Sequence, residues 1–227
     1  MASSVSSYEV RQGSTQPMVS AEGSVGTLRA ERLVKRAFDV AFSLLVLVFI
    51  SPVLLLIAIL VKLDSEGPVL YVSERIGRSG KRFRFLKFRT MVKEAEQLKA
   101  TLLHLNERQE ILFKMSNDPR VTRIGRLLRR YSLDELPQFF SVLTGHMSVI
   151  GPRPCLPCEY SLYTKKQRRR VEAEPGITGL WQVEARTDPS IDAYFALDIH
   201  YVENWSLWLD LRILLKTFVV VFAGTGE

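Results

Sequence analysis

From Val40 to Val61 the chain is uncharged and almost wholly apolar, interrupted near the middle by Ser51 and Pro52. As straight helix this stretch would measure roughly 33 Å, enough to cross a hydrocarbon core of about 30 Å. Two features complicate a simple crossing. Pro52 cannot donate to the carbonyl of Val48 and its ring crowds that turn, so a kink is expected there. Basic residues also stand on both flanks: Arg29, Arg32, Lys35 and Arg36 before the stretch, Lys62, Arg75, Arg78, Lys81, Arg82 and Arg84 after it. Lys and Arg beside membrane segments stay on the cytoplasmic side, and a single span cannot keep both ends there. A bent, re-entrant helical hairpin satisfies both observations, although proline kinks also occur in ordinary spans. On the residues alone both geometries stay open. Either one predicts a membrane protein.

Elsewhere the pattern is that of a modest globular unit. Residues 1–27 have no periodic apolar positions and read as a disordered tail. Residues 28–62 form a basic lead-in and the membrane segment, and 63–227 a separate domain. Two β-prone runs around Gly77–Gly80, VLYVSERI and KRFRFLKFRTM, predict a hairpin. Helices are predicted from Val92 to Phe113, over VTRIGRLLRRYS, and from Tyr160 to Glu172. The second carries Ile124, Leu127 and Leu128 among arginines, and the third carries the run Lys165-Lys166-Gln167-Arg168-Arg169-Arg170. Such a run is a solvated face or, near a bilayer, a site for anionic headgroups. In the last segment Leu207, Leu211, Leu214, Leu215, Phe218 and Phe222 follow helical spacing, with Trp205 and Trp208 near its start. It suits a helix lying in the headgroup zone; packing on a protein core is the rival reading.

The 227 residues carry 31 Lys+Arg against 24 Asp+Glu, and the net charge of +7 suits an anionic membrane face, phosphorylated substrates or nucleic acid without choosing among them. No secretory signal is visible at the start of the chain. Cys155 and Cys158 form C-L-P-C, but they lack a redox setting, and His104, His146 and His200 are too scattered to complete a zinc site. They read as small apolar fillers.

Asp134–Glu135 is the most informative acidic pair, because Arg129 and Arg130 precede it and Arg153 follows. Magnesium-dependent phosphoryl transfer needs carboxylates beside phosphate-gripping cations, and a carboxylate can itself attack phosphorus. The plain alternative is a helix start, with Ser132-x-x-Glu135 as a capping box and Pro137 in the first turn. KRFRFLKFRT alternates aromatics and cations as single-strand binders do; beside a membrane segment, a basic edge facing phosphates or lipid is the better reading. Gly151-Pro152-Arg153-Pro154 presents an arginine between two fixed φ angles.

Taken together, KRAFDV, the Ser-Pro pair, KFRTM, DPRVTRIGRLLRRYSLDELPQ, VLTGHMSVIGPRP, PGITGLWQV and YVENWSLWLDLRILLKT resemble the bacterial sugar transferase family, the monotopic phosphoglycosyl transferases. The resemblance runs from about Lys35 to Phe218. It implies transfer of a hexose 1-phosphate, glucose or galactose by weak leaning, from a UDP-sugar to undecaprenyl phosphate with release of UMP. It implies a mostly α fold with a small β-hairpin, a re-entrant helix kinked at Ser51–Pro52 and interfacial amphipathic helices. It makes Asp134 the nucleophile, with Mg²⁺ at Asp134 and Glu135, and assigns phosphate contacts to Arg129, Arg153, Lys87 and Arg89. The expected setting is the cytoplasmic face of the bacterial inner membrane, among anionic lipids, with no nucleic-acid partner and with a homodimer left open. The long multi-span region of larger relatives has no counterpart here, which points to the compact form. Departures are His146 for a usual Asp, Ser141 for Asn, Glu184-Ala185-Arg186 for S-G-R, and the two cysteines. A non-catalytic scaffold for glycan-assembly enzymes is the alternative function.

Overall fold

The computed structural model describes residues 21–102, 104, 115, 117–185 and 190–224, with side chains from Arg29 onward. Most of the expected tail, the end of the helix expected over Val92–Phe113, and Arg186 lie outside the described residues. Helix α1 runs from Ala21 to Asp64 and so begins ahead of the boundary marked at Leu28. Its helical assignment continues through Pro52. The Ser51 hydroxyl donates to the Val48 carbonyl at 2.9 Å, the group that Pro52 has no N–H to serve. The serine thus answers a need that the proline makes.

One face of α1 meets the rest of the molecule on both sides of Pro52. Towards its start, Lys35 donates to the Ile150 carbonyl at 3.0 Å and pairs with Asp210 at 2.6 Å. Arg36 donates to the Val142 and Leu143 carbonyls, and Asp39 accepts from the Val149 N–H at 2.9 Å. Towards its end, Ile57 and Val61 pack with Phe88 and Leu128, and Asp64 accepts from the Ile124 N–H at 3.0 Å. The inward positions recur every three or four residues, as a helix face must. The outward ones, Leu44, Leu45, Val48, Phe49, Leu55, Leu56 and Ile59, are exposed.

Strands β1 (Leu70–Ile76) and β2 (Arg82–Phe88) form the expected antiparallel hairpin, with Arg75 opposite Phe83 and Tyr71 opposite Lys87. Phe83 and Phe85 turn into the core while Arg82 and Arg84 turn out. Phe85 is 1% exposed, so the alternation is that of a half-buried strand with its phenylalanines turned from solvent. After α2 (Ala95–Leu102), α3 (Arg123–Arg130) is capped by Thr122, whose hydroxyl accepts from the Gly125 N–H. Leu128 is buried, but Leu127, expected on the apolar side, is 50% exposed. A 3₁₀ turn, Leu133–Glu135, leads into α4 (Gln138–Leu143).

Strand β3 (Ser148–Ile150) pairs in parallel with β4 (Gly176–Thr178). The backbones touch there: a Cβ on Gly176 would lie 2.1 Å from the Gly151 nitrogen, and one on Gly179 would lie 2.2 Å from its carbonyl oxygen. Between these strands the helix expected over Tyr160–Glu172 divides into α5 (Pro157–Leu162) and a 3₁₀ segment, Gln167–Glu172. Tyr163 turns extended, which allows Arg170 to enter the core, where it is 1% exposed. The short α6 (Leu180–Glu184) and α7 (Ile191–Glu203) close this side.

The last helix, α8 (Leu207–Ala223), turns Asp210 and Ile213 inward. Trp208, Leu211, Leu215, Phe218, Val219 and Phe222 are exposed, so the apolar stripe faces away from the protein core. Both cysteines are free; Cys155 is the buried filler expected, whereas Cys158 is exposed.

Candidate active site

Asp134 and Glu135 stand on the 3₁₀ turn. The capping box does not form: Ser132 adopts φ 55° and ψ 23°, and no side-chain cap is made. The cations compete for the same oxygens. Lys87, on the inward side of β2, donates to Asp134 Oδ2 at 3.2 Å and to Glu135 Oε1 at 2.7 Å. Arg153 Nη1 donates to the same Glu135 oxygen at 3.1 Å. Charge-assisted bonds of this kind are stronger than a neutral cap. Both carboxylates are buried, at 5% and 7% exposure, so these contacts operate in a weakly screening medium.

Two further arginines stand near: Arg129 beside Asp134, and Arg75 behind the loop that carries Arg153. Arg129, on α3, donates Nε–H to the Thr90 hydroxyl at 2.9 Å. Burial holds its guanidinium below the ordinary arginine range, against the opposing pull of Asp134. Arg153 is raised above that range, chiefly by the charge of Glu135. Arg75, in the sequence only one of the basic residues flanking the apolar stretch, lies close by on β1. Its guanidinium and the Lys87 ammonium lie 5.1 Å and 5.7 Å from the centre of the same Phe85 ring. Burial lowers Arg75, and the charge of Arg153 lowers it further. The register could have found it, since same-face neighbours across a hairpin follow from strand pairing.

Lys87, Arg129 and Arg153 therefore converge on the acidic pair, while Arg75 reaches the Pro154 carbonyl behind Arg153. Arg89 does not join them. It donates to the Ser65 carbonyl at 2.6 Å and to the Ser65 hydroxyl at 3.0 Å, inside the turn that follows α1. With φ +116°, Gly67 makes room for it: a Cβ there would lie 2.4 Å from Arg89 Nη1.

Three cations around two carboxylates leave a surplus of positive charge, which suits a diphosphate. A divalent cation also fits. Among the described residues no group of three or more His, Cys, Asp or Glu could hold a metal alone. Asp134 has Lys87 as its one hydrogen-bond partner among them, through Oδ2. Mg²⁺ is commonly held by one or two carboxylates with phosphate oxygens supplying the rest, and Asp134 and Glu135 would supply the protein's share.

Residues 30–224 match the family model described as bacterial sugar transferase, and the chain belongs to that family. It is 42% identical over 199 residues to the exopolysaccharide production protein ExoY of Rhizobium meliloti, covering 86% of this chain and 88% of that protein. It is 42% identical over 202 residues to the undecaprenyl-phosphate galactose phosphotransferase of Salmonella typhimurium, covering 87% of this chain and 42% of the relative. To the UDP-glucose:undecaprenyl-phosphate glucose-1-phosphate transferase of Escherichia coli it is 40% identical over 202 residues, covering 85% and 40%. The chain thus spans less than half the length of several curated relatives and most of the length of others.

Proposed function

We propose that this protein transfers a hexose 1-phosphate, glucose or galactose, from a UDP-hexose to undecaprenyl phosphate, releasing UMP. Such a step begins exopolysaccharide or other lipid-linked glycan assembly. The observation that carries the reading is the buried Asp134–Glu135 pair held by Lys87 and Arg153 beside a long apolar helix. The names of the galactose and glucose transferases among its relatives support the substrate class.

In the first step a carboxylate oxygen of Asp134 attacks the sugar-bearing phosphorus of the donor. The bond from that phosphorus to the bridging oxygen breaks, and UMP leaves with the electron pair. In the second, a phosphate oxygen of undecaprenyl phosphate attacks the same phosphorus and the carboxylate departs, leaving the sugar on a lipid diphosphate. Taking the anions in turn avoids crowding both into one site. Lys87 orients the two carboxylates, and Arg153 and Arg129 offset charge as the diphosphate bond breaks. Bound Mg²⁺, held by Asp134 and Glu135, would polarise the phosphoryl oxygens.

The setting proposed is the cytoplasmic face of the inner membrane, with α1 re-entrant and bent at Ser51–Pro52. Contact of both halves of α1 with one domain supports it, as does the outward apolar stripe of α8. Exposed Arg123, Arg126 and Arg130 on α3 would meet anionic headgroups. The reading is tested with Asp134→Asn, which is expected to lower UMP release from UDP-glucose or UDP-galactose roughly a thousandfold or more. Unchanged turnover would remove Asp134 as nucleophile.

A further inference from the structure

The Pro-Arg-Pro loop that presents Arg153 is short of donors. Neither Pro152 nor Pro154 has an N–H, so the loop must be fixed largely through its carbonyls. Three consecutive carbonyls are each taken by a different element. The Gly176 N–H, from β4, donates to the Pro152 carbonyl at 2.9 Å. Arg170 Nη2, from the 3₁₀ segment, donates to the Arg153 carbonyl at 2.7 Å. Arg75 Nη1, from β1, donates to the Pro154 carbonyl at 3.3 Å.

Arg170 is the best-built of the three. Its Nε donates to Asp198 Oδ2 at 3.0 Å, Nη1 donates to the Tyr163 hydroxyl at 3.0 Å, and Nη2 is shared between Asp198 and the Arg153 carbonyl. Its guanidinium lies 4.2 Å from the centre of the Tyr194 ring. The side chains of Arg170 and Asp198 are each 1% exposed. A fully buried ion pair is a poor device for stability alone, because well-packed apolar residues often do as well. A planar fork can serve an anchor, a hydroxyl and a loop carbonyl at once, which an ammonium cannot.

We propose that Arg170, with Asp198 as its counter-ion, is a positioning residue for the transfer reaction: it fixes the Pro-Arg-Pro loop so that Arg153 meets Glu135. The inference rests on the transferase reading above. Its action passes entirely through Arg153, and that makes it separable from a merely structural role.

The test is a double-mutant cycle on the full-length, detergent-purified protein. UMP release is measured with undecaprenyl phosphate, Mg²⁺ and either UDP-glucose or UDP-galactose. Arg170→Lys is expected to lower kcat/KM about tenfold or more, since a misplacement near 1 Å can cost a hundredfold. In an Arg153→Lys background the same change is expected to cost less than about twofold, because the loop then presents a side chain that no longer matches Glu135. Equal losses in both backgrounds would overturn the proposal. If Arg170→Lys does not fold, Asp198→Asn enters the same cycle, since it leaves the guanidinium in place on a weaker partner. An expected loss of about threefold should again vanish beside Arg153→Lys; persistence would overturn the proposal. Wild-type protein that releases no UMP from either donor would instead count against the transferase reading itself.

Discussion

Asp118 and Arg120, two residues apart in the DPR stretch, bind each other through a two-pronged pairing. Arg120 Nε donates to Asp118 Oδ1 at 2.9 Å and Nη2 to Oδ2 at 2.6 Å, while Nη1 reaches the Ala95 carbonyl at 3.2 Å. The pair ties the end of the turn before α3 to the start of α2. Burial by itself would raise the Asp118 carboxyl, but the hydrogen bonds and charge of Arg120 outweigh it and hold the group below the usual carboxylate range. A carboxyl with a lower pKa folded than unfolded adds stability above the unfolded value of about 3.9. That contribution disappears as pH falls through the folded value. Asp118→Asn is therefore expected to cost roughly 1.5–3 kcal/mol near neutrality, as for other hydrogen bonds to charged groups. The mutant should also lose less than the parent on acidification below about pH 4. Melting curves in detergent from pH 3 to 7 would check both; parallel curves would contradict the assignment. Asp134 contrasts with Asp118 in its partners. Its one described contact is Lys87, a cation that also serves Glu135, so it is held without being consumed by a local fork.

Among the elements, the junction of β3 with β4 leaves little room. A Cβ on Gly151 would lie 2.3 Å from the Glu174 carbonyl oxygen and 2.9 Å from the Gly176 nitrogen, both of them backbone atoms that cannot swing aside. Gly151→Ala is expected to destabilise the fold by about 2–4 kcal/mol, within the range for overpacking plus backbone displacement. It should also lower activity, since this junction leads directly into Arg153. Thermal melting beside turnover at equal folded fraction would show it, and a melting temperature within a degree of the parent would contradict the close approach. This junction was hard to read in advance, because two strands of three residues carry no period that a pattern could reveal. The hairpin, α3 and α8 were legible because each repeats an apolar interval over at least two turns or several strand positions. Asp134, Glu135, Arg129 and Arg153 were legible together as an acidic pair with arginines near it in sequence, whereas Lys87 joined them only through the family motifs; local pattern favoured a capping box that the cations displace. Arg170 was hidden inside a run of basic residues, where composition implies a solvated face, and only the turn at Tyr163 takes it inward. Arg89 sits in a motif beside Lys87, but its strand ends at Phe88 and its side chain goes to the turn after α1.

For the molecule as a whole, the proposed membrane setting turns on how α1 would meet a bilayer. Its Arg29–Asp64 portion is long and apolar enough to cross, with 17% of the most apolar window buried. A crossing would carry one end away from the domain. At the first end a part-buried Lys35 pairs with the buried Asp210, which also accepts from the Tyr201 hydroxyl and the Trp205 indole N–H. Breaking such a pair by removing one partner costs about 3–5 kcal/mol. At the other end Ile57 and Val61, at 4% and 2% exposure, would lose their packing against Phe88 and Leu128. The outward residues of α1 and α8, from Phe49 to Phe222, would still need an apolar surface to cover them. A helix dipping into one leaflet meets all three demands, and the Ser51 hydroxyl answers the carbonyl that a proline bend leaves without its donor. In a Cys158→Ser background, Arg32→Cys and Glu66→Cys flank the apolar stretch at exposed positions. Both are expected to react with a membrane-impermeant maleimide in inverted inner-membrane vesicles, and neither in intact spheroplasts. Reaction of one site in each preparation would mean that α1 spans the bilayer, and the domain contacts at its two ends could not then coexist in the membrane.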